Sequence, residues 1–105
     1  MKLYIIDNTR KLKKIERELE EQFNVEAKEN CKFKMTKNDY AILSDEFGLP
    51  EGLDKLKNII FLVCRKENKY IWKLANDYKT IDIIDNEENE KYIFKRIERI
   101  VGREL

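Results

Sequence analysis

Histidine is absent from this 105-residue sequence. With it go imidazole general bases, Ser-His and Cys-His nucleophile pairs, and most zinc or haem sites. Carboxylates, lysines, tyrosines and two thiols are left to carry chemistry. Those thiols, Cys31 and Cys64, are too few for a disulfide framework and lack metal-ligand spacing, and reduced cysteines fit the cytosol. Glycine occurs three times and proline once, which excludes collagen-like and low-complexity classes. No apolar run approaches the ~18 residues that span a bilayer, and the opening MKLYIIDN lacks a signal-peptide core. The expectation is a cytoplasmic location without a membrane partner. An excess of one charge is also missing: 22 Lys and Arg stand against 21 Asp and Glu, a formal net charge of +1. Nucleic-acid binding rests on neutralising phosphates with a basic excess, so no nucleic-acid partner is expected of this domain.

What is present is 42% hydrophobic and 41% charged residues, too apolar for disorder and enough for one modest core. Residues 1–105 therefore read as a single domain. KLYIID, residues 2–7, is a buried strand that stops at an acid. Asn8 and Thr9 then offer caps for a helix over 8–22, with Leu12, Ile15, Leu19 and Phe23 on one stripe. A weak strand follows at 24–28. NCKFKMT alternates Cys31, Phe33 and Met35 with polar residues, the period of extended chain or a strand and not of a helix. A buried strand is expected at 39–45, a short helix around 51–57 and the most apolar strand, NIIFLVC, at 58–64. A helix over 67–79, an edge-like strand over 80–85 and a closing helix over about 89–101 complete the chain. Gly102 is the closing helix's stop signal.

Strands alternating with amphipathic helices predict an α/β fold with a parallel sheet and helices on both faces. In such sheets, sites form at the carboxyl ends of the strands. Here those ends are Asp7-Asn8, Ser44-Asp45, Val63-Cys64 and Asp85-Asn86.

Over essentially the whole chain the pattern resembles the receiver domain of bacterial two-component response regulators. YIID matches the first strand and NEKYIFKRIERIVG the last helix. The resemblance implies a flavodoxin-like, three-layer fold with a five-stranded parallel sheet of order 2-1-3-4-5. It departs from the family between 27 and 39, where too little chain remains for a full second helix. That helix is expected to be shortened or replaced by extended chain.

A receiver working in a phosphorelay holds Mg²⁺ on an acidic pair after the first strand and phosphorylates an aspartate ending the third. A Thr or Ser ends its fourth strand and a Lys its fifth, where hydroxyl and ammonium stabilise the phosphoryl oxygens. Asp7 matches the first acid, while Asn8 replaces the second. Counting from Asp39 lands on Ser44 at the acceptor position, with Asp45 one residue later, and a slip of one swaps strand faces. Val63 replaces the hydroxyl and Asn86 the lysine, directly after Asp85. Asp45 is thus the candidate phospho-acceptor with Ser44 as the off-by-one alternative, or else a polar residue that closes the strand. Asp7 with Asp45 is the candidate Mg²⁺ pair, and no other cofactor is expected.

Trp72 and Lys79 lie off the buried stripe of the 67–79 helix, and Tyr92 accompanies Arg96 and Arg99 on the last helix. In a receiver, these two helices and the fifth strand form the partner face, and aromatic plus cationic residues suit interface anchors. The alternative for Trp72 and Tyr92 is half-covering their own core with a polar tip in water. Cys64 has Arg65 and Lys66 beside it, but a free cysteine is ordinarily a buried small hydrophobe. DNTRK lacks the backbone nest needed for flavin phosphate.

The expected function is a pseudo-receiver: a non-enzymatic module that binds a partner, or itself, and that is the N-terminal domain of a longer protein if an output domain follows. The alternative is a working receiver phosphorylated on Asp45 with Mg²⁺ near Asp7. A third reading is a regulatory domain with a small-molecule pocket at the same strand ends.

Overall fold

The computed structural model describes residues 1–6, 10–44, 52–63, 80–85 and 88–102. Five strands, β1 (Leu3–Ile6), β2 (Val25–Lys28), β3 (Tyr40–Ser44), β4 (Ile59–Val63) and β5 (Thr80–Asp85), form one sheet. All pairings are parallel and the order is β2-β1-β3-β4-β5, the order of flavodoxin-like α/β folds. Two α-helices are described, α1 (Arg10–Leu19) and α2 (Glu90–Gly102). The helix expected over 67–79 lies outside the described residues. The one expected around 51–57 is, from residue 52 onward, a single 3-10 turn at Leu53–Lys55.

Strand side chains alternate between faces, and the core divides accordingly. On one face Leu3, Ile5, Tyr40, Ile42, Ile60, Leu62 and Ile84 meet Leu12, Ile15 and Leu19 of α1 and Ile93, Ile97 and Val101 of α2. The spacing of those helical residues places them on one stripe, which is why both helices lie flat on the sheet. Helix α1 stops at Leu19, short of the expected 22. The carbonyl of Leu19 then accepts the Gln22 and Phe23 N–H groups, and Phe23 folds back against the same cluster.

The other face holds Tyr4, Ile6, Ala41, Leu43, Ile59 and Phe61, covered by Cys31, Met35, Leu53 and Leu56. Residues 29–39 contain no helix. They cross this face as an irregular strap that buries Cys31 and Met35, half-buries Phe33 and leaves Lys32 and Lys34 in water. Phe33 stacks on Tyr4 with ring centroids 4.4 Å apart.

Irregular chain outside a ladder must place its backbone polar groups elsewhere. Asp39 serves this need at the amino end of the sheet: its carboxylate accepts the N–H of Thr36 (2.8 Å) and of Lys2 (2.9 Å). Burial opposes its ionisation, but those donors outweigh the penalty and hold its pKa below the ordinary aspartate value. Asn58, in a left-handed conformation with φ 51°, donates its amide to the carbonyls of Lys37 (2.9 Å) and Asp39 (2.7 Å).

Candidate functional site

The carboxyl-end rim is built by register. Ile6 pairs with Leu43, Ser44 with Leu62, Leu62 with Ile84 and Val63 with Asp85. β4 therefore runs one residue past β3 and ends beside the acid that ends β5. Ser44 is fully buried and falls, by alternation, on the side of Tyr40 and Ile42, beneath the helices. Val63 holds the last place of β4 and Asp85 the last of β5. Asp7, Asn8, Asp45, Cys64 and Asn86 lie outside the described residues. Among the described residues no cluster of three or more metal-ligating groups occurs. Cys31 is buried against the sheet, and burial pushes its thiol pKa up, with the nearby Asp54 carboxylate adding to the shift.

A second site is assembled where β5 meets α2. The register of β5 slips at its start: Ile59 faces Thr80 and Ile60 faces Asp82, so Ile81 is an extra residue, a bulge, and is 44% exposed. The slip decides which face the rest of β5 presents. It places Asp82 and Ile84 on the side of Ile60 and Leu62, beneath α2, and turns Ile83 toward the strap.

Asp82 there meets Arg96 in a two-pronged bond, Nε to Oδ2 and Nη2 to Oδ1, both 2.8 Å. Asp82 Oδ1 also accepts the N–H of Ile83 at 2.9 Å. The hydrogen bond to Asp82 raises the Arg96 pKa further above its ordinary value. Arg96 Nη1 reaches the Tyr92 hydroxyl at 3.5 Å. Helix α2 is started by Asn89, whose Oδ1 accepts the Tyr92 N–H at 2.8 Å, and this cap fixes where Tyr92 emerges.

The result is an open groove of about 560 Å³ lined by Asp82, Tyr92, Lys95, Arg96, Arg99 and Ile100. Three residues expected on the partner face, Tyr92, Arg96 and Arg99, are thus brought together. The other two, Trp72 and Lys79, lie outside the described residues. Asp82 and Lys95 were not singled out from sequence. For Lys95 the signal was available, four residues from both Lys91 and Arg99. For Asp82 it was not, because its face depends on the bulge. Chemically the arrangement offers a ligand an aromatic ring, one apolar side chain and cations.

The sequence matches no protein-family model and no curated protein.

Proposed function

We propose that the chain is a receiver-like signalling domain of the pseudo-receiver type, working as a protein-interaction module without phosphoryl turnover. In this reading residues 1–105 form one three-layer domain with helices on both faces of the sheet. It is not an enzyme, requires no cofactor and acts in the cytoplasm. Its binding face is the groove between β5 and α2, continued by the 67–79 segment, and it takes a protein partner or a second copy.

The observation that carries the reading is the pairing of Val63 with Asp85 at the carboxyl-end rim. A receiver needs a hydroxyl and a cation at these strand ends to stabilise phosphoryl oxygens. Val63 supplies no hydroxyl, Asn86 stands where the lysine is expected, and the carboxylate of Asp85 just before it repels the group. The strand order and the clustering of Tyr92, Arg96 and Arg99 support the rest.

Beryllofluoride with Mg²⁺, a phosphoryl mimic, tests the proposal by amide NMR. The expected spectrum changes little at Ile6, Ser44, Val63 and Asp85. Large shifts along that rim, lost in Asp45→Asn, overturn it in favour of a working receiver.

A further inference from the structure

The solvent face of α2 is rich in cations, with Glu98 the acid among them. Lys91, Lys95 and Arg99 follow at four-residue spacing and all are exposed, with Tyr92 and Arg96 alongside. Like charges four residues apart repel one another along the helix. Within the groove, three cations face one carboxylate, a net charge of +2. Asp82 is already bound at both oxygens by Arg96, which leaves Lys95 and Arg99 with no ion pair among the described residues. Tyr92, 45% exposed, and Ile100 supply apolar surface between them.

From this we infer that the groove takes an acidic segment of a different protein, one carrying carboxylates beside an apolar anchor. The inference rests on the interaction-module reading above and names the partner's chemistry. A two-fold pairing of this face with itself opposes one +2 groove to another, which disfavours a second copy. A nucleic-acid strand extends past a groove of this size and meets Glu98 on the same helix, on a protein of net charge only +1. The anchor packs on Tyr92 and Ile100, and its carboxylates reach Lys95 and Arg99.

The test uses a helix-forming peptide of about 15 residues with glutamates at four-residue spacing beside a leucine stripe. It is titrated into ¹⁵N-labelled protein. Shifts are expected at Tyr92, Lys95, Arg99 and Ile100, with affinity falling about tenfold as salt is raised severalfold. The Lys95→Glu/Arg99→Glu double variant is expected to weaken binding by about tenfold or more, while Lys32→Glu on the strap leaves it unchanged. Equal binding of a glutamine-for-glutamate peptide overturns the inference, as does tighter binding of a single-stranded oligonucleotide. So does self-association through this face that the peptide cannot displace, or the lack of shifts there. The beryllofluoride result is independent: rim shifts defeat the pseudo-receiver reading whatever the peptide does.

Discussion

The two faces of the sheet are covered by opposite means. On one, α1 and α2 satisfy their backbone groups internally and are held to the strands by apolar side chains and, for α2, by the Arg96–Asp82 ion pair. On the other, the strap at 29–39 has no ladder and no helix, and its backbone is satisfied piece by piece by polar side chains. Asn30 accepts the Lys32 N–H at 2.8 Å, Asp39 accepts from Thr36 and Lys2, and Asn58 donates to Lys37 and Asp39. Apolar burial sets how tightly each cover sits, and the strap face depends in addition on side-chain bonds to its own backbone, where the helix face uses polar side chains at a helix cap and one ion pair.

The largest effects are expected from the core of each face. Phe61→Ala, in the middle of the strap face, is expected to cost about 3–5 kcal/mol, and Ile97→Ala, beneath α2, about 2–5 kcal/mol in urea unfolding. A Phe61→Ala cost below about 1 kcal/mol would mean that the strap collapses into the space and that the two faces are not comparably packed.

Asp39→Asn separates the faces more sharply, at about 1–3 kcal/mol near neutral pH. Because the folded pKa is depressed, the carboxylate's contribution is present above the unfolded value of about 3.9 and is lost as pH falls through the folded value. Urea midpoints of wild type and Asp39→Asn are therefore expected to differ at pH 7 and converge in strong acid. A constant gap across that range assigns the loss to packing instead.

The smallest pair sharpens the comparison at about 1 kcal/mol each. Gly52 holds φ 85°, and a Cβ there sits 3.4 Å from Cys31 Cβ, so Gly52→Ala strains the backbone against the strap. Asn89→Ala removes the cap of α2. Hydrogen exchange is expected to quicken around Cys31 in the first variant and in the first turn of α2 in the second. Equal quickening in both places would make the two covers one cooperative unit.

Much of this was legible in the sequence because burial follows local period. The run IIFLV reads as a strand covered on both sides, and Ile59 and Phe61 do face one cluster while Ile60 and Leu62 face the other. The alternation of Cys31, Phe33 and Met35 argues against a helix, and the strap contains none. Tyr92, Arg96 and Arg99 share a helix face by spacing alone. Asp82 was hidden because its direction is set by the partner strand. The strand TIDIID reads as simple alternation, and only pairing with β4 reveals the slip at Ile81. The Asp39 knot was equally hidden, since its donors come from Thr36 nearby and from Lys2 across 37 residues of chain.

The bulge at Ile81 acts as a phase shift in β5. Were Ile81 paired opposite Ile60 instead of bulged, every later position would change sides: Asp82 would leave Arg96, Ile84 would leave the core and Ile83 would take its place beneath α2. The groove would then lose its counter-charge while the sheet kept all five strands. The groove is thus keyed to how β5 accommodates one extra residue, since a change of pairing there alters none of the side chains that line it.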